Sequence, residues 1–171
     1  MATNERCTCI AKAAIPIKQD DAVFHFSLSY QSVDRNENYF IDLVVNYIYS
    51  LIEMKSFYKA FEVIDREADK LRNNPDFHFV CGVFYMNFVL NDVKNNIEFL
   101  PLIEKSYLQC LELGEKGAKE IVLGTGTFLA AYNIGVYYEM LKQLEKARYY
   151  YNLASGLNYE PAKKRLIALS Y

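Results

Sequence analysis

Two pairs of neighbouring carboxylates are the residues of this chain best suited to acid–base chemistry. Glu98 lies close to Glu104 in the sequence, and Glu62 lies close to Asp65. Carboxylates that share a cleft can act as acid and base, because each one shifts the pKa of the other. Both pairs, however, fall on helix faces that are expected to meet water, where such charges are usually hydrated. We therefore predict no catalytic residue among them.

The histidines and the first two cysteines offer equally little for metal or nucleophilic chemistry. His25 and His78 lie inside aromatic runs, and they lack the spacing of metal ligands or of a catalytic triad. Cys7 and Cys9 form the only close pair of cysteines. A tetrahedral zinc site would require two further ligands. The sequence therefore predicts neither a metal site nor a cofactor.

The composition is that of one soluble globular domain, with 52% hydrophobic and 23% charged residues in a chain of 171. No apolar run approaches the roughly 18 to 20 residues of a membrane span, and the N-terminus lacks the apolar core of a signal peptide. Cys81 and Cys110 lie in apolar helical patterns, which is typical of buried thiols in a reducing compartment. The formal charge of -2 disfavours nucleic acid and anionic membranes as partners. We expect a cytoplasmic protein that binds neither.

A glycine-rich turn, Gly124-Thr125-Gly126-Thr127, directly precedes a predicted helix. Free backbone N–H groups at such a helix start can hold a phosphate or a carboxylate. No Lys-Ser or Lys-Thr follows the glycines, so the turn is not a nucleotide-binding P-loop. A purely structural turn, with Thr127 as the helix cap, is the interpretation that we favour. Anion binding stays open as the alternative.

The elements that position these residues are predicted from the stretch at 127–162. Its small and aromatic residues fall at positions 4, 7, 8, 11, 20, 24 and 27 of a helix-turn-helix unit of about 34 residues, which resembles the tetratricopeptide pattern. Those residues are Ala131, Ile134, Gly135, Tyr138, Ala147, Tyr151 and Ala154. The small side chains of Gly135 and Ala147 mark the place where the two helices of the unit are expected to cross.

Two further units carry the same register. The first contains Val44, Tyr47, Ile48, Leu51, Ala60 and Ile64, and the second contains Gly82, Tyr85, Ile103, Tyr107 and Cys110, with an insertion at 91–99. We therefore predict an all-α fold of about seven helices, a tetratricopeptide-like helix-turn-helix stack that forms an α-α superhelix. Residues 1–19 are expected to be a poorly ordered or partly helical lead-in, and 20–171 the repeat domain. A capping helix is predicted at 161–170, with Leu166 and Leu169 facing inward.

The first predicted helix lacks a recognisable partner. Its residues match a first helix of a unit, but the polar run at 34–38 interrupts the pattern before a second helix can follow. Large apolar side chains would then be left uncovered, namely Val23, Phe24, Phe26, Leu28 and Tyr30. Either residues 10–17 fold back over them or a second copy of the chain covers them, and we favour a homodimer through this helix.

Several phrases together resemble the C-terminal repeat region of bacterial family 2 glycosyltransferases, which include the S- and O-glycosyltransferases of bacteriocin peptides. They are NNPDFHFVCGVFYMNFVL at 73–90, LPLIEKSYLQCLELGE at 100–115, GTGTFLAAYNIGVYYEMLKQLEKARYYYNLAS at 124–155 and YEPAKKRL at 159–166. The resemblance covers about residues 20–170 and implies a non-catalytic region. The family's nucleotide-sugar domain and its Asp-x-Asp metal motif have no counterpart here, so no enzymatic activity is expected.

The resemblance implies either a separate interaction module associated with a glycosyltransferase of peptides or proteins, or a fragment of such an enzyme whose repeats serve homodimerisation. In tetratricopeptide superhelices, positions 2, 5, 6, 9, 12 and 13 of each first helix line the concave side. The peptide-binding residues predicted in this way are Asn46, Tyr49, Phe79, Met86, Tyr132 and Asn133. Such a groove is aromatic and apolar with isolated amides, and it suits an extended or helical peptide. For Phe79 and Tyr132, packing against neighbouring repeats is an equal alternative.

One well-known ligand class is disfavoured at this groove. Repeat proteins that hold a C-terminal carboxylate place a lysine at position 13, whereas this chain has Glu53, Asn87 and Met140 there. We therefore expect a partner with apolar side chains rather than one recognised by its terminal carboxylate.

Overall fold

The computed structural model describes residues 19–114 and 122–170, and these contain helices and turns but no strand. The helices are α1 (Gln19–Ser32), α2 (Phe40–Glu53), α3 (Phe57–Leu71), α4 (Pro75–Asn91), α5 (Val93–Asn96), α6 (Leu100–Leu113), α7 (Phe128–Met140), α8 (Leu144–Gly156) and α9 (Glu160–Ala168), with a 3-10 turn at Ile97–Phe99. The predicted all-α class is confirmed. Apart from the single turn of α5 there are eight described helices, which pack in adjacent pairs. None of the described helices is both long and apolar enough to cross a membrane.

Three helical hairpins form the body of the described fold: α2 with α3, α4 with α6, and α7 with α8. The first and third hairpins turn in the same way. Lys55 and Lys142 each adopt a left-handed backbone with φ of 53° and 61°. The next residue's N–H, that of Ser56 or Gln143, then donates back to a carbonyl of the preceding helix over 2.8 and 2.9 Å. Such turns end a helix by satisfying its last carbonyls.

The predicted helix crossings at the two glycines are confirmed. A Cβ atom on Gly82 would lie 2.6 Å from ring carbons of Tyr107, and one on Gly135 would lie 2.6 Å from ring carbons of Tyr151. Ala147, the other small residue expected at the third crossing, is fully buried. The second and third hairpins therefore pack at van der Waals distance through the positions that the sequence register indicated.

Two apolar clusters make up the core, and α4 contributes to both. Val80 and Phe84 belong to the cluster built with α1, α2 and α3. Phe79 and Val89 belong to the cluster built with α6, α7, α8 and α9. A helix that is apolar on opposite sides is stable only when it is covered on both. The position of α4 between the two clusters provides that cover.

The ends of the fold agree in part with the prediction. Helix α9 packs on α8 and turns Leu166 and Leu169 toward the second cluster, as expected for the capping helix. The insertion at 91–99 contains α5 and the 3-10 turn, and Phe99 contacts Phe61 and Phe88 at its end. The lead-in at 1–18 lies outside the described residues.

Helix α1, whose sequence matches a first helix of a unit, packs on α2. The linker to α2 is folded into turns, with the N–H of Glu37 donating to Asp34 O and that of Phe40 donating to Glu37 O, both over 3.0 Å. Such a compact linker turns the chain back, so α1 packs antiparallel on α2, and Tyr30 of α1 reaches Glu67 of α3. A helix that precedes α2 and packs on it in this way is placed like the second helix of a preceding pair.

The expectation that the apolar side chains of α1 lack a cover was wrong for three of them. Val23, Phe26 and Tyr30 pack against the first cluster. Phe24 and Leu28 do remain exposed, with 59% and 49% of their surface accessible. The neighbouring helix α2 supplies the cover that the sequence pattern did not reveal.

A buried carboxylate fastens α1 to α3. Glu67 is fully buried, and its Oε1 accepts hydrogen bonds from the Tyr30 hydroxyl at 2.5 Å and from the Arg35 guanidinium at 2.9 Å. Lys70 donates to the carbonyl of Arg35 over 2.5 Å. Since an unpaired buried charge is costly, these partners hold the C-terminal end of α1 in place.

Candidate peptide-binding face

The six predicted site residues lie on the first helices of the three hairpins. Asn46 and Tyr49 are on α2, Phe79 and Met86 on α4, and Tyr132 and Asn133 on α7. Asn46 is exposed, Phe79 is buried, and the other four are half-buried. Gly82 of α4 and Gly135 of α7 face the second helices α6 and α8. Two of the six, Phe79 and Tyr132, also contact these second helices, through Tyr107 and Tyr151. We refer to these residues together as the α2–α4–α7 face, in which α2 packs on α4 while α7 joins the fold through α6.

On α2, an exposed amide stands one turn before a half-buried tyrosine. The Asn46 side chain donates from Nδ2 to the carbonyl of Asp42 over 2.7 Å. This bond fixes the amide and leaves its Oδ1 as an acceptor toward solvent. Burial, together with the negative charge of Asp76, raises the pKa of Tyr49 to about 12. The Tyr49 hydroxyl is therefore a neutral donor at physiological pH.

On α4, the two predicted residues have different surroundings. Phe79 retains only 9% of its surface and meets the Tyr107 ring edge-on, with the ring centroids 5.5 Å apart. Met86 is half-exposed beside the second cluster. Asn87, one residue further, donates to the carbonyl of Val83 over 2.8 Å and so presents its own Oδ1 as Asn46 does. Packing, the alternative left open for Phe79, accounts for its burial.

On α7, Tyr132 belongs to a separate group of rings. Its centroid lies 5.5 Å from that of Tyr151 and 5.2 Å from that of Tyr159. Arg165 of α9 pairs with Glu139 over 3.3 Å, and a hydrogen bond with Tyr132 raises the pKa of that guanidinium. The part of the face on α7 is therefore backed by the capping helix, whereas the parts on α2 and α4 adjoin Tyr107.

The starts of α4 and α7 are tied together by a buried aspartate. Asp76, in the first turn of α4, accepts the N–H of Val122 at 3.0 Å and the hydroxyl of Thr125. The N–H groups of Thr125 and Thr127 are used inside the turn. The glycine-rich turn therefore directs donors at a carboxylate of its own chain. Thr127 occupies the N-cap position of α7, as predicted, but its side chain makes no capping hydrogen bond to that helix.

Sequence reasoning did not foresee the Asp76 contact. Asp76 lies at the start of a helix, where a negative charge is favourable by itself, and nothing local in the sequence links it to the turn at 122–127. The donors are 46 and 49 residues away along the chain. Only the packing of the hairpins brings them together.

The carboxylates weighed as catalytic groups occupy ordinary positions in the described fold. Glu104 is half-buried and accepts a hydrogen bond from the Tyr138 hydroxyl, so the expectation that it is simply hydrated was wrong. Glu98, Glu62 and Asp65 are exposed. The two members of each pair thus give no sign of a shared, enclosed cleft.

Among the described residues, the histidines and cysteines show no arrangement for metal binding or nucleophilic catalysis. The ring of His78 bonds from Nε2 to the carbonyl of Arg72 over 2.7 Å, and burial lowers its pKa. Burial raises the pKa of the Cys81 and Cys110 thiols, which are both free and buried. In the part of the chain that is described, no three His, Cys, Asp or Glu residues are grouped to hold a metal ion. The buried thiols are inert core side chains.

Comparison with known proteins adds nothing to this geometry: the chain matches no protein-family model, no curated protein and no solved structure.

Proposed function

We propose that this chain is a non-catalytic interaction module that binds a peptide or protein segment across the α2–α4–α7 face. The observation that carries the proposal is the combination on this face of half-exposed Tyr49, Met86 and Tyr132 with fixed amides. Apolar and aromatic side chains supply contact area, while a few placed polar groups set the orientation of a ligand. A tetratricopeptide-like superhelix is part of the proposal. The close helix crossings at Gly82 and Gly135 and the matching left-handed turns at Lys55 and Lys142 support it.

The amides favour a ligand with accessible backbone N–H groups. Asn46 and Asn87 both donate to a carbonyl of their own helix, over 2.7 and 2.8 Å. Their Oδ1 atoms are thereby held as acceptors on neighbouring helices α2 and α4. An extended segment, whose backbone N–H groups are unpaired, satisfies such acceptors better than a helix does. The ligand that fits best is an extended peptide with apolar side chains.

A selection from a displayed library of random short peptides tests this proposal. We expect the full chain to enrich apolar sequences that bind with micromolar affinity. Exchanging Asn46→Ala and Asn133→Ala together removes two of the amides predicted to contact the ligand, neither of which belongs to an apolar cluster of the core. Binding should therefore weaken about tenfold. Tyr58→Ser is the matched control, because Tyr58 is 86% exposed on α3. Failure to enrich any peptide, or equal binding to the double variant, would refute the proposal.

The resemblance to glycosyltransferase repeat regions suggests which process the module serves. We propose that it is associated with an enzyme that glycosylates peptides or proteins, either as a separate subunit or as a fragment of that enzyme. The fragment alternative includes homodimerisation of the repeats, and the exposed Phe24 and Leu28 of α1 favour it. In both cases the segment bound by the face belongs to the glycosylated substrate or to the enzyme itself.

The chain on its own is expected not to transfer sugar. Incubation of the full chain with common sugar nucleotides, manganese and a cysteine-rich peptide should leave the peptide mass unchanged. The reason is that such enzymes hold their metal ion with an Asp-x-Asp motif, and this sequence contains no Asp-x-Asp triplet. A bona fide glycosyltransferase assayed in the same buffer serves as the control. Any mass increase produced by this chain would overturn the non-catalytic assignment.

A further inference from the structure

Helix α1 carries the spacing of the residues through which the second helices α6 and α8 face their partners. These are Ile103, Tyr107 and Cys110 on α6 and Ala147, Tyr151 and Ala154 on α8. The equivalent residues of α3 are Ala60, Ile64 and Glu67, of which Glu67 faces α1 instead. On α1 the same spacing gives Ala22, Phe26 and Ser29, a large ring between two small residues. This agrees with the antiparallel placement of α1 against α2.

In the three hairpins these positions are covered. Tyr107 and Tyr151 are almost completely buried, and each ring meets a glycine of the first helix, Gly82 or Gly135. A small residue over a large ring is therefore the rule at the two closest crossings of this fold. It allows the two helices to approach closely along their whole length.

On α1 the equivalent positions are only partly covered, although Phe26 packs against the first cluster with part of its ring. Ala22 and Phe26 are half-exposed and Ser29 is exposed. With His25 and with Leu43 of α2 they line a groove of about 340 Å³. Among the described residues, no helix lies over this groove, although α2 covers the neighbouring side of α1. We call it the α1–α2 groove.

We infer that the α1–α2 groove binds an amphipathic helix from another polypeptide, which completes α1 as a helical hairpin. The groove continues the interface between α1 and α2, just as α4 lies against both α6 and α2. The partner helix carries glycine or alanine against Phe26, with large apolar residues one position before it and three positions after it. Gly135, Ile134 and Tyr138 of α7 illustrate this arrangement.

Charge specifies the partner further. Antiparallel pairing places the end of the partner helix beside the start of α1, where Asp21 is exposed. The described part of α1 from Asp21 to Ser32 contains no lysine or arginine. In two of the hairpins a lysine, Lys55 or Lys142, follows the first helix at this place. A basic residue in the last turn of the partner helix complements both Asp21 and the dipole of its own helix.

A synthetic peptide of residues 127–142, TFLAAYNIGVYYEMLK, is the probe, since it contains the ring-facing glycine and the terminal lysine. Fluorescence anisotropy with the full chain should show saturable binding. Ala22→Glu and, separately, Ser29→Glu should each weaken it about tenfold or more by placing a charge in the apolar groove. A peptide with leucine in place of the glycine should bind equally poorly. Tyr58→Ser, and the Asn46→Ala and Asn133→Ala double variant, should bind as the parent does, which separates this groove from the α2–α4–α7 face.

Other occupants of the groove are distinguished by the accessibility of a thiol at position 22 and by the molecular mass of the chain in solution. In an Ala22→Cys variant that is monomeric by light scattering, rapid alkylation at position 22, slowed by the peptide, supports the inference. An unreactive thiol in that monomer would show that the chain covers its own groove. A parent dimer that Ala22→Glu dissociates would identify a second copy as the occupant. Either result, or a reactive thiol without peptide binding, would overturn the inference.

Discussion

The Gly135→Leu variant should lose about 3 kcal/mol of unfolding free energy or more, at the upper end of overpacking effects. Even the first side-chain carbon would lie 2.6 Å from the Tyr151 ring. That ring has little freedom to move, because Tyr151 is fully buried and its hydroxyl donates to Glu139 over 2.6 Å. The leucine must therefore push α7 and α8 apart. Urea or thermal unfolding followed by circular dichroism measures the loss.

Gly156→Ala is the matched control for this change. A Cβ atom on Gly156 meets nothing within 4 Å, and the residue lies at the end of α8. Alanine favours a helix over glycine by up to about 1 kcal/mol, so this variant should unfold like the parent or slightly later. If Gly135→Leu unfolds at the same denaturant concentration as Gly156→Ala, the close crossing of α7 and α8 is not real.

Alkaline solution should unfold the chain cooperatively, because its buried tyrosines resist ionisation. Burial raises the pKa of Tyr30, Tyr49 and Tyr85 to about 12, from an ordinary value of 10.0. A hydrogen bond to a carboxylate adds to the effect of burial for Tyr138 and Tyr151, whose pKa values are also raised. Below pH 10 the hydroxyls are protonated in both states, and the native state keeps its full stability.

As the pH rises from 10 through about 12, the unfolded chain releases these protons first, so stability falls over that window. Tyrosinate absorbance and helical circular dichroism should change together and steeply. Tyr85→Phe removes one resistant hydroxyl and should move the midpoint to higher pH. If these tyrosines instead ionised near pH 10 while the helices stayed intact, their burial would be contradicted.

Local spacing was sufficient to predict the helical hairpins but not how α1 pairs. Gly82 and Gly135 are informative because only a small residue fits against a ring at a close crossing, and few other patterns require it. The pattern of α1 is ambiguous, since Phe26 and Tyr30 suit a first helix as well as a second helix. What decides its direction is the folded linker at 33–39, whose backbone bonds leave no periodic signal in the sequence.

The hydrogen bonds that join distant segments of the chain could not be predicted from the sequence either. Tyr30 and Glu67 are 37 residues apart, and Thr125 and Asp76 are 49 apart. A carboxylate in a helical pattern is read as hydrated unless its partner is known, and only the packed structure supplies the partner. For the candidate site, exposure could not be inferred from register alone, because Phe79 is buried by Tyr107 whereas Met86 on the same helix remains accessible.

The α2–α4–α7 face is tested most directly by the methyl signal of Met86. The chain contains only four methionines, so a sample with carbon-13 methyl groups gives few signals, each assignable by a single Met→Leu exchange. Addition of a peptide selected from the displayed library should shift the Met86 signal, and the Asn46→Ala and Asn133→Ala double variant should lose that shift at the same peptide concentration. A peptide that binds while leaving the Met86 signal unchanged would place the binding site elsewhere and contradict the proposed function.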